Sequence, residues 1–113
     1  MSQYSYSQTM FEDKLLPSGE TAESAIIDVN AIRPLGHFAS QIKVTGSGSV
    51  TIELYLSING TDFALYDTLW EDQAFTVSKI RNHSFAVCTK FKVKATETSG
   101  AQNATVSLWI GVQ

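Results

Sequence analysis

Two histidines, one cysteine and two acidic dipeptides are the side chains of this chain with reaction chemistry to offer. Cys88 and either histidine could form a nucleophile pair, because a thiolate needs a neighbouring base and residues far apart in sequence can meet in space. The neighbours of Cys88, namely Ala86, Val87 and Thr89, instead read it as a small apolar residue within a strand. His37 follows Gly36 at a loop-strand boundary, and His83 lies in the turn-like run Arg81-Asn82-His83-Ser84. Neither has a second histidine at the spacing that builds a metal site from one element. Glu12-Asp13 and Glu71-Asp72 could act as general acid and base or as calcium ligands, but adjacent side chains on a strand point apart, so solvated turns are expected. Gly46-Ser47-Gly48-Ser49 lacks the lysine and the helix of a phosphate loop and reads as a flexible connection. No catalytic residue, metal ligand or cofactor is expected, and the chain is not expected to be an enzyme.

The aromatic residues carry more information. Tyr55 and Trp109 stand opposite the apolar faces of their strands, Trp70 stands beside Glu71-Asp72, and Tyr4 and Tyr6 lie in a polar N-terminal run. An outward aromatic on a sheet covers a second core, stacks on a sugar ring or is buried between subunits. Tyr4, Tyr6, Tyr55, Trp70 and Trp109 are therefore the candidate interface residues, the alternative being that an arm or loop of the same chain covers them.

Charge removes two classes of partner. Eleven acids against eight bases give a net charge of -3, so no global positive field draws the chain to nucleic acid or an anionic membrane. Lys79, Arg81, Lys90, Lys92 and Lys94 are the one basic concentration, and the last three alternate as a solvated strand face would. A single cysteine forms no internal disulfide, which suits a reducing cytoplasm. The first residues lack a basic n-region followed by an apolar core, and no run approaches the roughly 18 apolar residues of a membrane span, so a soluble protein is expected. Asn59, Asn82 and Asn103 head glycosylation sequons that turn chemistry explains as well.

The elements that must position these residues read as strands. In Ser49–Phe63, Val50, Ile52, Leu54, Leu56 and Ile58 alternate with Thr51, Glu53, Tyr55 and Ser57, the period of a strand with one buried face. Asn59-Gly60 then predicts a tight reversal. Residues 1–16 read as an arm and a first short strand over 11–16, and residues 17–113 as one domain. Further strands are expected at 24–29, 38–44, 63–70, 74–80, 85–98 with an irregularity near Cys88 and Thr89, and 103–112. The loop 30–36 could carry a helical turn, and Gly46-Ser47-Gly48 predicts a hairpin joining 38–44 to 49–58. The outcome is an all-β antiparallel sandwich with jelly-roll-like connections and seven or eight strands. Its expected core is Ile26 or Ile27, Ile42, Val44, Val50, Ile52, Leu54, Leu56, Phe75, Val77, Phe91, Val93, Val106, Leu108 and Ile110.

Leu56-Ser-Ile-Asn-Gly-Thr-Asp-Phe63, followed by Phe91-Lys-Val-Lys-Ala-Thr96 and a Thr/Val-rich last strand from Ala104 to Ile110, resembles the layout of small β-sandwich proteins of tailed bacteriophages. The resemblance covers about residues 24–112. It implies a structural virion component, most of all an oligomeric head-decoration or cement protein, or else another capsid- or tail-associated module. Such a protein assembles in the bacterial cytoplasm, with copies of itself and the major capsid protein as partners. The same Ser-x-Asn-Gly-x-x-aromatic turn also resembles discoidin-type galactose-binding sandwiches, which implies a carbohydrate-binding module with a glycan as ligand. The chain lacks the terminal cysteines of those domains, and Phe63 stands where they often have tryptophan.

Overall fold

The computed structural model describes residues 6–29, 37–84, 86 and 88–112. Among the described residues nine strands form: β1 Tyr6–Leu16, β2 Thr21–Glu23, β3 Ile27–Asp28, β4 His37–Gly46, β5 Val50–Ser57, β6 Ala64–Gln73, β7 Thr76–Ser84, β8 Lys90–Glu97 and β9 Ala104–Val112. One sheet has the order β1-β9-β4-β7 and the other β2-β8-β5-β6, with β3 also on β8, and every pairing is antiparallel. If β2 and β3 count as one interrupted strand, the chain changes sheet after each strand except between β5 and β6. That is a jelly-roll sandwich.

The strict alternations produce the core. β5 and β8 bury every second residue, and β9 buries Val106, Leu108, Ile110 and Val112. These inner faces meet those of β4 and β1, with Ile42, Val44, Ile52, Leu54 and Val93 fully enclosed. Burial of this kind is the main stabilising term, so Leu54→Ala should cost about 2–5 kcal/mol.

Register slips explain where the expected core fails. Phe75 and Val77 are 66% and 72% exposed. Between Ile42↔Lys79 and Val44↔Thr76, β4 advances two residues while β7 advances three. This bulge shifts the phase by one, so Thr76 points inward and its neighbours outward. Ile27 rather than Ile26 is buried. Slips between β5 and β6 likewise bring Leu69 and Trp70 to the core as consecutive residues.

Other boundaries also differ from expectation. The polar run 6–10 belongs to β1 and pairs with β9 from Tyr6↔Val112 onward, while residues 1–5 and the loop 30–36 lie outside the described residues. The expected strand 24–29 is interrupted: the Ser24 hydroxyl accepts the Val93 N–H at 3.0 Å, and Ser24 N–H donates to Val93 O at 2.9 Å. β8 opens at Lys90, Phe85 and Val87 lie outside the described residues, and Thr89 donates its N–H to Ser57 O at the end of β5 at 2.8 Å.

β4 and β5 are no hairpin. They lie in opposite sheets, and the Ser47–Ser49 connection crosses between them. A Cβ on Gly48 would come within 2.6 Å of Glu97 Oε2, so only glycine lets the crossing pass so close to that carboxylate. Between β5 and β6 the reversal takes six residues, Ile58–Phe63. Asn59 Oδ1 accepts the N–H groups of Thr61 and Asp62, each at 2.9 Å, and Gly60 adopts φ +83°. The side chain thus folds the loop as an Asx turn.

Candidate functional site

The reactive side chains are drawn into structural contacts. His83 is buried on the inner face of β7, where Ser40 Oγ lies 2.6 Å from its Nε2, and Trp70 Nε1 donates to the same Oγ at 2.8 Å. Phe38 lies against the imidazole with ring centroids 5.0 Å apart, and the Arg81 guanidinium sits 4.4 Å from the Trp70 ring centroid. Burial pushes the His83 pKa below its ordinary value, Arg81 adds to this and Asp67 opposes it. A Ser–His hydrogen bond is a nucleophile–base geometry, but Ser40 is 1% exposed and its oxygen already holds an indole N–H.

Cys88 is buried and free, and burial raises its thiol pKa, which disfavours the thiolate. His37 opens β4 as an exposed residue opposite Ser84.

The acidic dipeptides have a structural purpose. Asp13 and Asp72 both adopt positive φ, 45° and 46°, on the sheet-edge strands β1 and β6. Their N–H groups are taken by hydroxyls across the sheet, Ser107 Oγ at 2.9 Å and Thr51 Oγ1 at 3.0 Å. They are bulges that carry charge at sheet edges. Among the described residues no group of three or more His, Cys, Asp or Glu could hold a metal ion.

A carboxylate not singled out from the sequence organises one end of the sandwich. Glu97 is buried at the end of β8, with Oε1 accepting from Gly19 N at 3.0 Å and Gly100 N at 2.9 Å, and Oε2 from Ser49 N at 2.9 Å and Ser99 N at 3.0 Å. Three inter-sheet loops are thereby gathered on one side chain. Burial pushes its pKa up, but the hydrogen bonds from Ser99, Ser49 and Gly19 outweigh that and hold it at about 2. The signal was present: Phe91, Val93 and Ala95 alternate inward, and Glu97 is next in phase.

Of the candidate interface residues, Tyr55 and Trp109 are half-buried on outer faces, as their alternation required. Trp70 is corrected: at 2% exposure it is a core residue, turned inward opposite Ile52 by the β6 slips. Tyr6 enters the sheet as the first residue of β1, and Tyr4 lies outside the described residues.

The basic residues are not brought together. Lys79 and Arg81 lie on β7, whereas Lys90, Lys92 and Lys94 line the outer face of β8, where Lys92 pairs with Glu23 at 3.1 Å and Lys94 with Glu53 at 4.0 Å. Lys94 and Lys92 also lie over the rings of Tyr55 and Phe63, at 5.4 and 4.8 Å. That face is a web of compensated charge.

The outer face of the other sheet is different. Thr9, Trp109, Gln41 and Ile80 form a row across β1, β9, β4 and β7, and the next row holds Ser7, Gly111 and Ala39. Small side chains beside the indole leave a shallow depression of about 170 Å³. Its lining offers a ring, a carboxamide and little charge, which suits contact rather than reaction.

No protein-family profile and no curated protein sequence matches the chain. Solved structures do match in fold. A chain of infectious bursal disease virus, Gx strain, is 14% identical with a TM-score of 0.57 over 96% of this chain and 32% of its own length. The VP2 subviral particle of that virus gives 14%, 0.55, 97% and 33%. A protein of Bacillus endospore appendages, described as disulfide-linked pili, gives 18%, 0.52, 100% and 91%. The chain therefore spans about a third of the virus chains it matches, and at these identities the likeness is one of fold.

Proposed function

We propose that this chain is a non-enzymatic structural component of a bacteriophage virion, an oligomeric head-decoration or cement protein that assembles in the host cytoplasm and works by contact. The observation that carries this reading is the outer face of the β1-β9-β4-β7 sheet, which presents Trp109, Ile80 and a neutral depression, while His83 and Cys88 are held by the core. The jelly-roll fold shared with a virus-particle protein and with a pilus protein supports it by analogy. The partner surface is the major capsid protein, and Trp109 is the anchor.

Mass spectrometry of purified particles, followed by co-sedimentation of added chain with particles that lack it, tests this. Saturable binding that Trp109→Ala weakens at least about tenfold is expected, since anchors of this kind commonly exceed 1.4 kcal/mol. Absence from particles together with no co-sedimentation overturns it.

A second reading rests on the same ring. An indole beside Gln41 and Ser7 could stack on a sugar, making the chain a carbohydrate-binding module. Binding on a glycan array that is lost in Trp109→Ala would favour this reading over the first.

A further inference from the structure

Of the eight large hydrophobic residues exposed among the described residues, five lie on two neighbouring strands or their connection: Leu65 and Tyr66 on β6, Phe75 in the connection, and Val77 and Ile80 on β7. Both strands are sheet edges, and among the described residues no strand pairs with their outer sides. The two edges also carry opposite charge. β7 holds Lys79 and Arg81 and no acid, while β6 holds Asp67, Glu71 and Asp72 and no base.

Their relative direction follows from contacts that step in opposite senses. Gln73 bonds Thr76, Arg81 lies over Trp70 and donates to Leu69 O, and Asp67 is felt by His83. As β6 numbers fall, β7 numbers rise, so β6 and β7 run antiparallel, one in each sheet.

We infer that this side is a self-complementary surface on which a second copy of the chain docks, with β7 of each copy beside β6 of the other. A two-fold axis parallel to the strands brings this about: it exchanges the sheet layers, keeps strand direction, and sets β7 antiparallel to the partner's β6. Each charge contact is made twice and the assembly closes as a dimer. An axis perpendicular to the sheets would instead oppose β7 to β7, setting Lys79 and Arg81 against their own copies, which like-charge repulsion disfavours. The unpaired strand edges supply the contact, and the charges select the orientation. The dimer does not depend on a particle role.

Sedimentation velocity of the full chain tests this in low and high salt, with Lys79→Glu and Glu71→Lys prepared singly and mixed. The unaltered chain is expected to dimerise, more weakly at high salt. Each single variant should raise the dissociation constant by about tenfold or more while circular dichroism stays unchanged. The equimolar mixture should recover the dimer, because the carboxylate introduced on β7 of one variant faces the ammonium introduced on β6 of the other, while Lys79 and Glu71 still meet at the second contact. A chain that is monomeric throughout, or a dimer indifferent to both substitutions and to salt, overturns the inference. A monomer that still co-sediments with particles would leave the proposed function standing, and a dimer absent from particles would do the reverse.

Discussion

Two polar sites are buried in this sandwich, and they hold it together by opposite means. Between the sheets, Ser40 joins Trp70 and His83 through one hydroxyl, with neutral groups surrounded by aromatic rings. At the loop end, Glu97 keeps a full charge and gathers four N–H groups from three connections. Burial disfavours the charged form in both places, so it lowers a histidine pKa and raises that of a carboxylate. For His83 nothing reverses that push, whereas the donors around Glu97 do. Burial alone does not decide ionisation here; the number of convergent donors does.

The inter-sheet site depends most on Trp70. Trp70→Ala removes a core ring, the partner of Ser40 and the surface under Arg81 together, so a loss of about 3–5 kcal/mol is expected by urea unfolding. A loss under about 1 kcal/mol, the size of an exposed substitution, would show that the site is peripheral.

Next comes the loop clamp. Glu97→Gln keeps the shape but turns an amide NH₂ toward backbone donors, leaving at least one pair of N–H groups facing another donor. The urea midpoint at neutral pH should fall. The carboxyl titrates lower in the folded chain than its ordinary 4.5, at about 2. Its contribution is therefore complete above about pH 4.5 and is lost as pH falls toward 2. Glu97→Gln should lose this acid limb, and an unchanged pH profile would show that the clamp does not stabilise the fold.

The smaller test of the hydroxyl is Ser40→Ala. It leaves the Trp70 N–H and the His83 ring nitrogen without the atom they share, at a cost of about 1–3 kcal/mol in the same measurement. A neutral result would mean that the two rings find each other or a water.

What was legible in the sequence, and what was not, follows from where the sheets are regular. β5, β8 and β9 alternate without interruption, so their inner residues and the outward placement of Tyr55 and Trp109 could be read directly. β6 and β7 could not, because a one-residue slip inverts every side chain beyond it. That is why Phe75, Val77 and Trp70 changed places with expectation. Nothing in Gly46-Ser47-Gly48 distinguishes a hairpin from a crossing between sheets, since β4 and β5 show the same period in either case. The Ser40–His83 pair joins strands 43 residues apart, a contact set by that topology and invisible to local pattern.

His83 provides the finest discrimination between the two sites. The folded chain keeps the imidazole neutral below its ordinary value of 6.5, whereas the unfolded chain takes up a proton there. The unfolded state then binds more protons, so stability is complete above about pH 6.5 and declines as pH falls below it. Glu97 cannot cause this decline, because its window lies below about pH 4.5. Urea midpoints at about pH 7.5 and about pH 5.5 should therefore differ in the unaltered chain and draw together in His83→Gln, which lacks the titrating group. An equal difference in both would assign the slope to another residue and leave His83 as packing alone.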